Sequence, residues 1–459
     1  MRFESLPRFL RQLIFSLMGW RNYFYRYNRS YRSFREFLQN SSLWLISQQD
    51  EWQRQKLLGL VNSARNETEY YSKCLPSHED IATRGDLRDI LNALPLLDKD
   101  SLRRHPGSFL NSSVNTFVRS STSGSTGSPL EIEHDAASLS RRFALINHHL
   151  NSVGITEKSA SIRLSGRIIC AVNRSHAKPW LYNEAENQLF LSTYHINDQH
   201  SAQIIEKFEK FKPRLLDGYP SGVLELLRLL RRHSYEPTSL RAIVTTAESL
   251  GEAARAELVE LSGGEVPVMD YYSASEGLPL IQQCMHGTYH VRWQSGICEV
   301  DDNGKIGFEG DGELICTSFV QDRTPLIRYR TGDLVEGLSP TIADVCECGL
   351  RSPVIRKVLG RVEDVIQTPD GRALGMFTYR TLKHIQGLGE TQVIQHDFAV
   401  FEVNTVALPD GYTSSSLAKE LSGSFERALG YPIKLQLNLV GAIAKGPHGK
   451  VRLVISRII

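Results

Sequence analysis

Several short stretches of the chain carry residue types that can do chemistry. Residues 120–130 read SSTSGSTGSPL. Their hydroxyls and free backbone N–H groups form a concave donor surface, and Gly124 and Gly127 allow backbone angles closed to other residues. Ser123, Gly124, Ser125, Thr126 and Gly127 would therefore suit a polyphosphate. Alone, a Ser/Gly-rich loop reads as a linker, and no Lys follows the second glycine as in a GxxxxGK[ST] loop. Asp270 to Glu276 (DYYSASE) follows an apolar run. That puts Glu276 just past a strand end, where α/β folds hold ligands. Pro325 to Leu334 (PLIRYRTGDL) sets two arginines and Asp333 beside Gly332. Gly360 to Asp364 (GRVED) is followed far downstream by Gly449 to Arg452 (GKVR). A lone Asp after Gly usually marks a turn, and a lone Lys before a β-run a solvated edge charge. The order and spacing carry the information.

A second group is metal-like. Cys346 and Cys348 flank Glu347 and precede Gly349, and Cys284, His286 and His290 cluster soon after Glu276. Thiolates and imidazole are the ligand set of tetrahedral Zn²⁺. The C-x-C spacing is shorter than in zinc fingers, so spacing alone leaves open a set of unrelated buried thiols and surface histidines. Seven cysteines in a chain of 459 residues do not make a disulfide framework, and a reducing cytoplasm is the expected location.

The elements that must position these residues read as α/β. Apolar runs at Ala242 to Val244 and Val266 to Met269 alternate with helical stretches at Ser221 to His233 and Gly251 to Leu261. A helix is expected over 40–75, ending near Tyr70 and Tyr71, and a short one over Lys99 to Arg103. Residues 290–335 are richer in short strands, Gly312 to Cys316 among them. In the tail, Val393 to Val406 and Ile433 to Val440 are β-like around a helix at Ser415 to Ala428, a small α+β unit with its boundary near Gly360. The organisation expected is an N-terminal arm over 1–40, a large multi-part α/β body over 41–359 and a small α+β domain over 360–459.

Composition excludes several classes. The 53 basic residues against 51 acidic ones give a net charge of +2, too balanced for nucleic acid as the main partner. No window reaches the roughly 18 consecutive apolar residues of a bilayer span. Leu13 to Trp20 is apolar, but Arg21 and Tyr23 to Tyr27 follow it where a signal peptide would have small residues. Residues 1–36 hold eight arginines, with aromatics interleaved and only Glu4 and Glu36 as acids. Such an arm suits an anionic membrane surface, at the inner face of the membrane, or an acidic partner; equally, its aromatics can dock on the protein body.

The loop at 120–130, DYYSASE, PLIRYRTGDL and GRVED with its distant GKVR, in this order, resemble the adenylate-forming superfamily. The resemblance is closest to the phenylacetate–CoA ligase branch, with its CapK-type members linked to capsular polysaccharide synthesis and its deazaflavin-adenylating synthetases. It covers roughly residues 45–455. DGYPSG at 217–222, TTAESL at 245–250 and CECG at 346–349 also match. The resemblance implies that a carboxylate attacks the α-phosphate of ATP, and that CoA or an amine then takes the acyl group. It implies that Ser123 to Gly127 hold the outer phosphates and Glu276 binds Mg²⁺. Tyr272, Ala247 and Glu248 would lie against the adenine, with Ser275 beside them in the ATP site. Asp333 and Arg361 would serve the ribose. Lys450 would reach in from the small domain, and Asp364 would be the hinge between the two half-reactions.

The branch also implies a structural Zn²⁺ on Cys284, His290, Cys346 and Cys348, with His286 as the alternative imidazole. The chain departs from the family at Ser128, where Lys is frequent, at Ser273, where Gly is usual, and over Gln367 to Arg372, where many CoA ligases carry an Arg-Gly-x-Asn loop. The last departure leans towards an amine acceptor. Residues 164–172 and 217–222 are expected walls of the acid pocket, with Arg167 or His195 as candidate contacts to a polar acid. Loss of Glu276 or Lys450 would have marked a non-catalytic nucleotide-binding scaffold; both are present.

Overall fold

The computed structural model describes residues 6–121, 130–165, 169, 178–248, 250–340, 346–361, 366–369, 373–374, 377–382, 385, 388–407, 413–443 and 454–458. Its largest layer is a nine-stranded sheet. Five parallel strands form its centre, in the order Val268–Tyr272, Ala242–Thr246, Leu215–Gly218, Ser161–Ser165 and Gln188–Ser192. Trp180–Asn183 closes one edge, and Ile281–Gln283, Tyr289–Val291 and Val354–Ile355 extend the other, all antiparallel. Every residue of Ala242–Thr246 and Leu215–Gly218 is buried. Helices cover a parallel sheet on both faces, which is why these strands read as unbroken apolar runs rather than alternating ones. The helix Pro220–Arg232 buries most of its apolar residues against this sheet, with Leu226, Leu229 and Leu230 fully enclosed.

A five-stranded antiparallel sheet follows, in the order Lys305–Gly307, Gly296–Asp302, Gly310–Ser318, Tyr329–Leu338 and Lys357–Arg361. The last unit is a four-stranded sheet of Lys434–Leu439, Val400–Ala407, Leu388–Asp397 and Val454–Ser456. The helix Ser414–Leu429 packs on it through Leu417, Leu421, Phe425 and Leu429, a four-residue repeat that keeps one face inward. It starts where the Thr413 side chain accepts a hydrogen bond from the Ser416 N–H and ends at Gly430 in the left-handed region.

Two expectations shift. The helix expected over 40–75 is two helices, Ile46–Glu67 and Glu69–Cys74. Thr68 is extended, and its hydroxyl accepts from the Tyr71 N–H, so it ends one helix and caps the next. The run Val393 to Val406 is a hairpin, because the chain reverses between Asp397 and Val400. At the N-terminus, helices span Arg8–Arg26 and Arg29–Ser41. The second belongs to the body: Tyr31 and Leu38 are buried with Ala144, Leu145, Leu280 and Val320.

Arg328 ties the first third of the chain to the five-stranded sheet. Its guanidinium makes two bonds to Glu299, at 3.1 and 2.9 Å, and donates to the Leu91 and Leu94 carbonyls at 3.0 and 2.9 Å. Burial outweighs the neighbouring guanidinium and pushes the Glu299 carboxyl above its ordinary value. The pair therefore positions segments more than it adds stability. Glu299→Ala, which strands a buried guanidinium, should cost about 3–5 kcal/mol, whereas replacing both partners by apolar residues of similar volume should cost much less. Thermal and urea unfolding of both variants checks this, and equal losses would contradict it.

Candidate active site and metal cluster

The strand Val268–Tyr272 ends at the junction of the two large sheets. There the Tyr272 hydroxyl donates to Asp333 Oδ2 at 2.6 Å. Burial, and after it the Asp333 charge, raises the Tyr272 phenol well above its ordinary value, so it stays a proton donor. Asp333 lies on Tyr329–Leu338 directly opposite the backbone of Arg361. Gly332, with φ +72°, makes the turn before it, and its N–H donates to Glu313 at 3.2 Å. The two arginines of this stretch have other partners. Arg328 is held by Glu299, and Arg330 pairs with Asp301 and Glu313.

Glu276 follows the same strand and is 5% exposed. The Ser275 hydroxyl donates to its Oε2 at 3.3 Å, and Gln321 Nε2 donates to its backbone carbonyl at 3.3 Å. Arg142, on the helix Ala136–Asn151, holds the preceding turn: it donates to the Ala274 carbonyl at 3.0 Å and to the Ser273 hydroxyl at 2.5 Å. Burial pushes its guanidinium below its ordinary value, and the nearby Tyr271 and Glu276 oppose that. Ser120, at the entry to the hydroxyl-rich loop, donates to the Ser275 carbonyl at 2.9 Å and lies 2.6 Å from His134 Nε2. Gln321 Nε2 is 2.8 Å from the other His134 nitrogen, which places a proton on Nε2. Arg142, His134 and Gln321 were not found from the sequence, and Ser120 was read only as part of the 120–130 loop. They come from four separate segments, and Arg141-Arg142 on a helix reads as an ordinary solvated face.

A third group sits on the neighbouring strand ends. Ala247 has φ +69°, a strained conformation for a residue with a side chain. Glu248 accepts from the Ser221 N–H and hydroxyl, both at 3.2 Å, so its carboxylate caps the helix Pro220–Arg232. That bond fixes the 247–248 turn against 217–222. Gly218 is required at this point, since a Cβ there would meet the Leu164 carbonyl oxygen at 2.2 Å. His195 is fully buried rather than at the surface, with Nδ1 2.9 Å from the Ser192 hydroxyl.

The cysteine and histidine residues converge. One ligand atom from each of Cys284, His290, Cys346 and Cys348 lies within 4.8 Å of the others. Cys284 and Cys346 sulfurs are 3.9 Å apart, and Cys348 Sγ is 3.3 Å from His290 Nε2. A tetrahedron with metal–sulfur bonds of about 2.3 Å has sulfur–sulfur edges of about 3.8 Å, so the four side chains fit Zn²⁺. The Ser352 hydroxyl, 2.9 Å from His290 Nδ1, turns Nε2 towards the sulfurs. The hydrogen bond between Cys284 and Cys348 holds the Cys284 thiol below its ordinary value and the Cys348 thiol above it. His286 is outside the group, paired with Glu347 at 3.0 Å.

Comparison with known proteins agrees with this architecture. The model of the CapK C-terminal domain matches residues 366–457. Protein CapK of Staphylococcus aureus is 25% identical over 414 residues, 89% of each chain. A phenylacetate–coenzyme A ligase of Aromatoleum evansii is 26% identical over 275 residues, 55% of this chain and 60% of that one. The chain is similar to proteins of the CapK and phenylacetate–CoA ligase branch of the adenylate-forming superfamily. The same fold is seen in a 2-hydroxyisobutyryl-CoA ligase crystallised with an acyl-adenylate, at a TM-score of 0.64 and 17% identity over 90% of each chain.

Of the residues singled out from the sequence, Tyr272, Ser275, Glu276 and Asp333 gather at the sheet junction, and Ala247 and Glu248 stand on the adjacent strand end. Ser123, Gly124, Ser125, Thr126, Gly127, Asp364, Lys450 and Arg167 lie outside the described residues.

Burial, and after it the Arg142 charge, pulls His134 down to about 4 from 6.5. Between these values the unfolded chain binds a proton that the folded chain refuses. Stability therefore falls as pH is lowered from 6.5 towards 4, by at most about 3 kcal/mol from this residue. His134→Gln should have a shallower acid limb than the unsubstituted protein when unfolding midpoints are measured across this range. Parallel limbs would remove His134 from the account.

Proposed function

We propose that the protein is an ATP-dependent ligase that converts a carboxylic acid into its acyl-adenylate and then passes the acyl group to an acceptor. The observation that carries this is the meeting of Glu276 with the Tyr272–Asp333 pair at one strand end, in a chain similar to proteins of the adenylate-forming superfamily. An acid oxygen attacks the α-phosphorus of ATP, the bond to the β-phosphate oxygen breaks, and pyrophosphate leaves. Asp333, fixed by Tyr272, offers paired acceptors for ribose hydroxyls. Tyr272 and the Ala247–Glu248 turn flank the adenine, and Arg361 assists at the ribose. Ser123 to Gly127 donate to the outer phosphates. Glu276, a buried oxygen ligand, suits Mg²⁺, which when bound neutralises charge on the phosphate oxygens. Lys450 pairs with the acid and α-phosphate during this step only, and Asp364 is the hinge that later withdraws it.

The acceptor we favour is CoA, because ligases of CoA recur among the relatives; an amine is the other outcome of the test. The tetrahedral fit supports a structural Zn²⁺ on Cys284, His290, Cys346 and Cys348, with no position left for substrate. It would lock the turn after Ile281–Gln283 to the stretch before Val354.

Acid-dependent exchange of labelled pyrophosphate into ATP, over a panel of aryl, fatty, hydroxy and amino acids, tests the first half-reaction. Adding CoA or candidate amines and identifying the product tests the second. Lys450→Ala should lower exchange about 100- to 1,000-fold and spare transfer from supplied adenylate. Equal loss in both steps would contradict its role. Cys346→Ser with Cys348→Ser should release about one equivalent of zinc by elemental analysis and lower the unfolding midpoint. Metal content that is absent or unchanged would remove the zinc reading.

A further inference from the structure

The helix Arg8–Arg26 is amphipathic the wrong way round for a helix lying on a protein. Its polar side faces inward. Gln12 Nε2 donates to the Tyr182 carbonyl at 2.7 Å while its Oε1 accepts from the Tyr182 N–H at 3.1 Å, so one side chain satisfies part of the exposed edge of the nine-stranded sheet. Arg26 pairs with Glu186 at 2.7 Å, and buried Arg11 donates to the Ile169 carbonyl. Gly19 lies so close that a Cβ would sit 2.3 Å from Asn183 Oδ1. Phe15 joins this side, edge-on to Phe190 at 4.9 Å, and Tyr25 packs on Phe117 at 4.2 Å. These contacts fix the rotation of the helix.

The outward side is therefore apolar. Phe9, Leu13, Leu17 and Phe24 are 70%, 54%, 62% and 69% exposed. With Trp20 they recur at helical spacing along nearly the whole length, and Ile14 and Met18 widen the strip. An ordinary surface helix turns such a strip to the core. A continuous apolar strip left outside marks a contact surface. Its surroundings are basic. The helix contains no acidic residue, Arg21 stands exposed within the strip, and Arg29 and Arg32 are exposed just beyond it. Beside the first turn, Arg8, Lys178 and Lys207 are close enough that the other two cations help burial to lower the Lys207 ammonium.

We propose that the helix Arg8–Arg26 docks its outward face on an anionic lipid surface, apolar side chains among the acyl chains and the flanking cations among the headgroups. The charge pattern favours lipid over a second copy, since a self-paired strip would set Arg21 and its basic flanks against their own equivalents. No helix among the described residues is long and apolar enough to cross a membrane, so the contact is in the plane of the interface. The inward polar bonds make the helix a rigid foot that also sets the orientation of the body on the bilayer.

The experiment is co-sedimentation of the full chain with phosphatidylcholine vesicles, with and without an equal share of phosphatidylglycerol. Binding is expected to the anionic vesicles, weaker to the neutral ones and reduced by salt. Leu13→Glu with Leu17→Glu should weaken it about a hundredfold, since each buried leucine is worth about tenfold in partitioning. The unfolding midpoint of that variant should be unchanged, because both side chains are more than half exposed. Lys178→Glu with Lys207→Glu should narrow the preference for anionic vesicles and leave neutral binding alone. Absence of binding, or equal binding by the leucine variant, would overturn the proposal. So would a dimer by analytical ultracentrifugation that the leucine variant dissociates, with no vesicle binding by either.

Discussion

The hydrogen bond from the Tyr272 hydroxyl to the Asp333 carboxylate joins the nine-stranded and five-stranded sheets at the point where the candidate site lies. An aspartate on a half-buried strand needs a donor to remain there as a carboxylate. The tyrosine supplies one because its own surroundings keep it protonated. Much of the local structure follows from holding this bond. Gly332 turns the strand to present Asp333, and the Leu97 and Tyr329 backbones pair beside it. Arg328 and Arg330 tie the strand to its neighbours rather than facing a ligand.

The second constraint is the buried Glu276. A carboxylate 5% exposed at a strand end is costly unless its surroundings accept the charge. Here a serine hydroxyl bonds it, and Arg142 lies near enough to feel its charge. The arginine braces the turn by two hydrogen bonds, and His134, Gln321 and Ser120 brace it from the other side. Ser120 leads directly into the hydroxyl-rich loop, so one network joins that loop to the acidic turn. Such a frame holds the carboxylate in one place.

The cysteine–histidine cluster and the N-terminal helix belong to other segments of the chain. The cluster brings the turn around Cys284 next to the stretch around Cys346. The helix Arg8–Arg26 seals the sheet edge at Trp180–Asn183 and leaves an apolar face outside.

The sequence by itself carried the family resemblance and the α/β alternation, and it singled out Tyr272, Glu276 and Asp333, because these depend on short motifs and on hydrophobic period. It placed Glu276 past a strand end, since an apolar run before an acidic turn has few other meanings in an α/β chain. It named Cys284, His290, Cys346 and Cys348 only through the resemblance, because C-x-C spacing and two candidate imidazoles left the set open. Only the tertiary structure chose His290 over His286, by turning one imidazole to the sulfurs and the other to Glu347. It alone recruited Arg142 and His134, whose positions in sequence carry no sign of the turn they hold. The N-terminal arm shows the division most clearly. Its composition offered a membrane, a partner or the protein body. The inward hydrogen bonds of Gln12 and Arg26 decided which face points out, because rotation about a helix axis is set by contacts between distant segments and not by local propensity.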